Sequence, residues 1–376
     1  MRRTWILLVL VVFVLSSLAL ACAKPAPAPA PAPRPAPAPR PAPAPTPSVA
    51  PAPAPPMTPA PAPVPVTPPA KVTESIKVKY HHVPATSGSY RPGVATRQAV
   101  IADYPELDVT IYSTTAVPER IEMFRQGTTD ISWLSSNDGY AAYYGTESYV
   151  DNTVTNMRAL VYARQSCSTY FATKESGITS LYELDGQPFG TQAGTSTQKL
   201  QKWMLEALGV SPEYDESNPA GMRDATKARR TVGYTKTGRP DPGILDVATV
   251  LPITILGFTE EELAKANAAH PGQYLPMTIK AGTYPGQEED VLSYGFVTGD
   301  SARIDMPDEV AYKWVSAVYN HREEVATSGG AGSLYYRDMI ENTLKYAPHP
   351  LHPGAITFYR QLGYTIPKRL IPPETR

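Results

Sequence analysis

PFGTQAGTSTQKLQKWMLEALG, residues 188–209, is a strand, a loop of small residues and an amphipathic helix in succession. Pro188–Gln192 predicts the strand and Ala193–Ser196 the loop. Gly209 ends the helix, because glycine readily adopts the left-handed conformation found there. A unit of this kind is the building block of an α/β protein. Between Thr197 and Leu208 the helical face carries apolar residues at i, i+3, i+4, i+7 and i+8: Leu200, Trp203, Met204, Ala207 and Leu208.

The same strand–loop–helix order recurs on both sides of this unit. Such repetition predicts parallel sheets covered by helices on both faces. Strands are predicted at Ile76–Tyr80, Leu107–Tyr112, Ile131–Leu134 and Pro252–Phe258. Helices are predicted to about Ala102, over Pro118–Gln126, Leu181–Leu184, Asp308–Glu324 and Pro353–Leu362, and after the capping box Thr259–Glu262.

Two long extended segments, Met157–Thr173 and Val291–Val297, predict crossings between two α/β sets. We expect two lobes, with residues 71–165 plus 291–376 as lobe I and residues 166–290 as lobe II. The crossing segments would then be hinge strands, and a ligand cleft would lie between the lobes, where strand ends and helix starts meet.

The N-terminus predicts export and anchoring. Residues 1–21 have the charged start, apolar stretch and small-residue cleavage site of a signal peptide. Cys22 follows directly, which resembles a bacterial lipobox and predicts lipidation. Residues 22–70 then form a linker rich in Pro and Ala, an extended spacer that has nothing to bury. The folded part is therefore expected outside the cytoplasm, lipid-anchored to the cell membrane; ordinary cleavage without lipid is the alternative.

Composition and motifs exclude several classes of protein. The 34 basic and 35 acidic residues nearly cancel, which argues against nucleic acid as a partner. We find no nucleophile elbow, no phosphate-binding loop ending in Lys-Ser or Lys-Thr, and no zinc-protease motif. His81 and His82 are adjacent on a predicted strand and face opposite ways, and His349 and His352 lie in a loop without acidic or cysteine partners nearby, so neither pair predicts a metal site. We therefore expect no enzyme activity, no metal and no cofactor.

Hydroxyl-bearing and small residues follow the predicted strands in four loops. In chain order these are Ala85–Tyr90, Ser113–Thr115, Ser135–Asn137 and Gly194–Thr197. Helix N-termini offer free N–H groups and partial positive charge, so such loops suit a small anion. Trp133 and Tyr234 are candidate walls for the carbon skeleton of the ligand, with a role as core aromatics the alternative. The candidate ligand-binding residues are Ser87, Gly88, Ser89, Tyr90, Thr114, Thr115, Trp133, Ser135, Gly194, Thr195, Ser196, Thr197 and Tyr234.

Residues 75–370 resemble the TAXI family of solute receptors that serve TRAP transporters. Ala281–Val291 (AGTYPGQEEDV) is the most specific match, supported by Ser87–Tyr90, Thr114–Thr115, Gly194–Thr197 and Leu351–Ala355. The resemblance implies a periplasmic-binding-protein fold, type II-like, with two lobes that close on a ligand. Small carboxylates and amino acids are the implied solutes, and membrane permease subunits the implied partners. The chain departs from the family pattern in the first and fourth loops, and in the basic stretch Ala228–Tyr234.

The leading hypothesis is therefore a lipid-anchored, extracytoplasmic receptor that delivers a small anionic organic solute, a carboxylate or an amino acid, to a TRAP-type transporter. A receptor of the same fold that serves an ABC importer or a sensor kinase is the alternative. An extracytoplasmic hydrolase is a third class, which the missing nucleophile–base pair disfavours. Arg91, Arg97, Arg158 and Arg164 compete with the loops as anion partners.

Overall fold

The structure is a computed structural model that describes residues 75–85, 87, 89–114 and 117–375, and of Ser196 the backbone alone. The described residues all belong to the unit Thr67–Arg376. The predictions for residues 1–21, Cys22 and the linker of residues 22–70 lie outside them, as do those for Gly88 and Thr115. No helix in the described ranges is long and apolar enough to cross a membrane.

Strands occur where the sequence predicts them, with further short strands between. The long prediction at residues 157–173 is confirmed from end to end, and the first three strands each extend one or two residues beyond their predicted ends. The strands are β1 Ile76–His82, β2 Leu107–Ser113, β3 Ile131–Ser135, β4 Met157–Thr173, β5 Pro188–Gln192, β6 Glu213–Ser217, β7 Gly233–Thr237, β8 Ile253–Leu256, β9 Leu275–Ile279 and β10 Val291–Arg303.

The helices follow the strands, as an α/β protein requires. Short 3₁₀ turns occur at Glu147–Tyr149, Lys174–Ser176, Leu181–Leu184, Ala331–Asp338, Lys368–Leu370 and Pro373–Thr375. The α-helices are α1 Tyr90–Asp103, α2 Val117–Gln126, α3 Ser136–Tyr144, α4 Ser196–Leu208, α5 Pro219–Lys227, α6 Pro242–Ala248, α7 Glu260–Ala269, α8 Asp308–Asn320, α9 Arg322–Ser328, α10 Met339–Tyr346 and α11 Pro353–Gln361.

The strands pair in the order β2-β1-β3-β10-β4-β7-β5-β6, with β8 on β4 and β9 on β10. The predicted α/β class is confirmed, but the expectation of parallel sheets is corrected, because the sheet is mixed. β1 pairs in parallel with β2 and β3, and β5 with β6 and β7. Every pair that includes β4 or β10 is antiparallel. The two long strands, β10 and β4, are antiparallel neighbours in the middle of the sheet, with one set of parallel strands on each side.

Strand β4 changes partner near its middle. Its first half, Met157–Cys167, pairs with β10, and from Ser168 onward it pairs with β7. Three residues at this change, Arg164–Ser166, are half-buried, while the rest of the strand is buried. The two sets of parallel strands therefore meet at a polar, partly open segment of a shared strand.

Two helix predictions need correction. The predicted helix Asp308–Glu324 is two helices, because the backbone leaves helical geometry at His321, whose ring nitrogen Nε2 lies 2.8 Å from the carboxylate of Asp103. The predicted helix Leu181–Leu184 is a 3₁₀ turn, fixed by a capping box between Ser180 and Glu183.

Tyrosine fills much of the interior where phenylalanine is more usual. Tyr170 and Tyr294 are both buried and share a hydrogen bond of 2.8 Å between their hydroxyls. Tyr80 donates to Oδ1 of the buried Asp300 at 2.7 Å, and Trp314 donates to Oδ2 at 3.0 Å. These four buried rings keep their polar atoms paired, as burial of a polar group favours. The hydroxyls of the buried Tyr234 and Tyr336, in contrast, have no hydrogen-bond partner among the described residues.

Candidate functional site

The first predicted loop begins α1 and is bonded within itself. The N–H of Ser89 donates to Oγ of Ser87 at 3.3 Å, and the N–H of Tyr90 donates to the Ser87 carbonyl at 3.0 Å. Ser89 occupies the N-cap position without capping the helix through its side chain. The ring of Tyr90 packs edge-on against His82 at 5.9 Å between centroids.

The second predicted loop serves the interior. Thr114 is buried, its N–H donates to the carbonyl of His82 at 2.8 Å, and its carbonyl accepts from Nη1 of Arg120 at 2.7 Å. Arg120 also donates through Nε to the carbonyl of Trp133 at 2.9 Å. This buried arginine therefore links the ends of β2 and β3 through backbone acceptors.

Trp133 and Tyr234 are core aromatics. They are 2% and 1% exposed, and neither lines a cavity described below. Trp133 lies 4.5 Å from the ring of His82, and Tyr234 packs edge-on against Phe171 at 4.6 Å. Their burial favours the alternative role as core aromatics over a role as walls of the ligand site.

The fourth predicted loop begins α4, as expected. Thr195 is the N-cap: its Oγ1 accepts from the N–H of Gln198 at 3.2 Å and donates to the carbonyl of Gln192 at 3.0 Å. The hydroxyl of Thr197 lies 3.1 Å from that of Thr195. Gly194 has a φ of +69° and its N–H donates to Oε1 of Gln198 at 3.0 Å.

A cleft of about 740 Å³ brings the third and fourth loops together. Gly194 lies on one side of it, and Asn137 and Asp138, which follow Ser135, lie on the other. The first and second loops are not among its lining residues as the structure describes them. Its lining consists of Val117, Pro118, Glu122, Arg125, Asn137, Asp138, Ala141, Glu147, Ser148, Tyr149, Asn152, Gly194, Lys199, Leu200, Trp203 and Gln273.

Two polar residues lie on the α3 side of the cleft, the half-buried Asp138 and the buried Asn137. Ser135 donates a hydrogen bond to the carboxylate of Asp138, and burial raises the pKa of that carboxyl despite this bond and the nearby charges of Arg120 and Lys199. Asn137 is 5% exposed, and its amide nitrogen lies 3.4 Å from Oε1 of Gln273. Oδ1 of Asn137 has no hydrogen-bond partner within the described part of the chain.

Four side chains form a continuous wall at the cleft. Nζ of Lys199 lies 4.0 Å above the ring of Trp203, which stacks on His270 at 4.3 Å with nearly parallel planes. Nδ1 of His270 lies 3.2 Å from Oε1 of Glu147. Through Trp203, His270 and Glu147, these contacts connect α4 to the turn at residues 147–149.

A second contact lies beside this wall, between α3 and the loop after α7. A Cβ built on Gly272 would lie 2.3 Å from the ring of Tyr140, and Gly272 has a φ of +73°. Only a glycine therefore fits this backbone conformation at this distance from the ring. Beside it, Nε2 of Gln273 donates to the carbonyl of Asn137 at 3.3 Å.

A model of the NMT1-like family matches residues 83–363, roughly three quarters of the chain. The chain belongs to the NMT1-like family. The match covers β2 to β10 and every residue that lines the cleft.

Several solved structures are similar to the NMT1-like chain. A TctC solute binding protein from Polaromonas has 12% identity and a TM-score of 0.46, over 72% of this chain and 98% of that one. The aliphatic sulphonate binding protein SsuA from Escherichia coli has 14% identity and a TM-score of 0.39, over 78% and 89%. The sulfonate-binding protein SsuA of a putative sulfonate ABC transporter from Methylobacillus flagellatus has 13% identity and a TM-score of 0.43, over 80% of this chain and 82% of that one. Similarities this distant carry no information about the solute.

Sequence reasoning missed most of the residues that line the cleft of this NMT1-like chain. Trp203 was assigned to the apolar face of α4, and the structure leaves it half-buried beneath Lys199. The spacing of Lys199 and Trp203, i and i+4, was a usable signal, because it places a cation over an aromatic ring on a helix. Gln273 gave no signal, since it comes from a loop far along the chain.

Proposed function

We propose that this protein is an extracytoplasmic solute-binding receptor that delivers a small anionic organic solute, a carboxylate or an amino acid, to a TRAP-type membrane transporter. The observation that carries the proposal is the 740 Å³ cleft between the start of α4 and the start of α3. Its volume lies in the range of small-molecule sites, about 300–1,000 Å³. Oδ1 of Asn137, enclosed and without a partner among the described residues, supports a polar ligand there.

The charges in the cleft support an anion with one basic group or none. Arg125 is already paired with Glu122 at 2.8 Å, and Glu147 with His270. Lys199, in the first turn of α4, then remains as a cation that forms no ion pair within the described residues. A solute carboxylate would bind Lys199, and the ammonium group of an amino acid would bind Asp138.

We further propose that residues 71–165 plus 291–376 and residues 166–290 are two lobes that close on the solute. The change of partner in β4 at Cys167–Ser168 supports this division, because the polar segment beside it gives the strand a place to bend.

A thermal-shift screen of organic acids and amino acids on residues 71–376 tests the proposal. A specific solute raises the melting temperature in proportion to RT ln(1 + [L]/Kd). Calorimetry on the best solute then compares Lys199→Met with Lys202→Met, its neighbour on α4 that pairs with Glu216. We expect Lys199→Met to weaken binding at least about tenfold and Lys202→Met to have no effect. Equal effects, or no solute in the screen, would sink the proposal.

Delivery to a TRAP permease and anchoring by lipid need tests of their own. A TRAP permease gene beside this one supports the transporter, whereas an ABC ATPase or kinase gene favours the alternative receptor. For the anchor, Cys22→Ala is expected to release the protein from membranes. Continued membrane association of that variant would instead indicate an uncleaved N-terminal segment.

A further inference from the structure

A second, smaller cavity of about 130 Å³ lies where β4 changes partner. Three segments enclose it: the middle of β4, the turn after β7 and the 3₁₀ segment near residue 332. It shares no lining residue with the cleft. The cavity is lined by Arg164, Gln165, Ser166, Cys167, Thr237, Gly238, Arg239, Pro240, Gly330, Ala331, Gly332 and Tyr335.

Arg164 brings a positive charge to this cavity and forms no ion pair with a carboxylate in the part of the chain that the structure describes. Its Nη1 donates to Oγ of Ser166 at 3.2 Å, and its Nε is enclosed without any hydrogen-bond partner among the described residues. Burial lowers the pKa of Arg164. An enclosed guanidinium with an unused donor is costly, so an anionic partner would stabilise it.

Arg239 enters the same cavity from the turn after β7. It donates through Nη2 to Oε1 of Gln165 at 2.6 Å, to the hydroxyl of Tyr335 and through Nη1 to the carbonyl of Thr278. All of these acceptors are neutral. Gln165 is held in turn by Asn342 at 2.8 Å, so the side chains around Arg239 are fixed in place.

The described lining of the cavity therefore carries a net positive charge. Two arginines line it, and no aspartate or glutamate occurs among the described lining residues. Planar guanidinium groups match carboxylate, sulfonate, sulfate and phosphate groups through paired N–H donors. Its volume holds several waters, at about 30 Å³ each, and lies below the size of a drug-like solute site.

We propose that this cavity is a binding site for one oxyanion group, held between Arg164 and Arg239. The anion would take the unused Nε donor of Arg164 and share the guanidinium of Arg239 with its present neutral partners. Because Arg164 lies on β4 and Arg239 on the turn after β7, the bound group would join the shared strand to the second parallel set. The group is either an inorganic anion or the acidic end of a larger solute.

Calorimetry and thermal unfolding on residues 71–376 test this, with sulfate, phosphate, acetate and methanesulfonate as probes at constant ionic strength in chloride. Sulfate and phosphate stabilise all proteins weakly by exclusion from the surface, without saturation. A site instead gives a saturating shift. We expect saturation by at least one probe in the wild type, and at least about tenfold weaker binding in Arg164→Gln and in Arg239→Gln. Arg360→Gln, an exposed arginine on α11, should behave as wild type.

Arg164→Lys and Arg239→Lys are controls for misfolding, because they keep the positive charge and remove the paired N–H donors of the guanidinium group. Either lysine variant should retain its melting temperature in chloride and still lose affinity for the probe. No saturating response to any of the four probes in the wild type would overturn the proposal. So would an unchanged response in the double Arg→Gln variant.

A final comparison separates this site from the proposed solute cleft. Lys199→Met is expected to leave the anion response unchanged, so a failed cleft and a failed cavity give different results. If the anion is the acidic end of the solute, the probe and the solute compete in one titration. If it is a separate inorganic anion, both bind together.

Discussion

The backbone N–H of Gly194 donates to Oε1 of Gln198 at 3.0 Å. This N–H, in the loop just before α4, is therefore already bonded to a side chain of α4. The sequence predicts free N–H groups at this helix start, with Gly194 leaving room for the ligand to approach them. A solute would reach it only by displacing the amide of Gln198. The donors that remain at this helix start are therefore those of the following residues.

Gly194→Ala tests whether the solute approaches this backbone. A Cβ at Gly194 meets no atom within 4 Å, but the φ of +69° strains an alanine by about 1–2 kcal/mol. Gly186→Ala is a matched control, with a φ of +67° and equally open space. We expect similar losses in melting temperature and a loss of solute affinity only for Gly194→Ala. Equal affinities would show that the solute does not touch residue 194.

Thr195 and Thr197 should separate stability from binding. Because Thr195 caps α4, Thr195→Ala is expected to lower the free energy of unfolding by about 1 kcal/mol. Thr197 does not cap the helix, so Thr197→Ala should leave unfolding almost unchanged. If its hydroxyl bonds the solute, that variant loses about 1 kcal/mol of binding instead. Urea unfolding and calorimetry on both variants decide this; a larger unfolding loss at Thr197 would refute the capping assignment.

Asp300 predicts a pH dependence of stability. Burial raises the pKa of Asp300 to about 7, above the value of about 3.9 expected in the unfolded chain. The folded state therefore holds this proton more tightly, so the contribution of Asp300 to stability is greatest below pH ~4 and declines as the pH rises to ~7.

Asp300→Asn should remove this decline. Between pH ~4 and ~7, wild type should lose on the order of 4 kcal/mol relative to the variant, since each pKa unit is about 1.4 kcal/mol. Asp108→Asn, an exposed carboxylate on β2, is the control. Parallel stability curves for wild type and Asp300→Asn over this range would contradict the prediction.

The linker is expected to be dispensable for binding. The alternating Pro and Ala residues predict an extended spacer, so we expect deletion of residues 23–70 to leave solute affinity unchanged by calorimetry. A tenfold loss, about 1.4 kcal/mol, would mean that the linker contributes to the site.

Strong periodicity made much of the fold predictable, and weak periodicity hid the rest. β1, β4 and α4 carry clear apolar patterns and are found where predicted. β6, with the sequence EYDES, is exposed or half-buried along its length, and no alternation marks it. Such a strand is specified by its partner β5, which the local sequence does not reveal.

Only the part of the candidate site that is formed by residues adjacent in sequence could be predicted. The small-residue loop at Gly194–Thr197 could be found because a strand, hydroxyls and a helix start adjoin in sequence. The partners across the cleft could not, because Asn137 and Gln273 meet only after the sheet has formed. For the same reason Trp133 and Tyr234 could not be told apart from ligand-facing rings.

The contact of Tyr140 with Gly272 has a consequence for the spacing of the whole cleft. The phenol ring occupies the volume that any other amino acid at position 272 would need for its first side-chain carbon. One absent atom therefore sets how near α3 can come to the loop that carries His270 and Gln273. A methyl added at that point would have to displace the ring of Tyr140 or the loop itself. The distance between α3 and this loop, which both contribute residues to the cleft, would then increase.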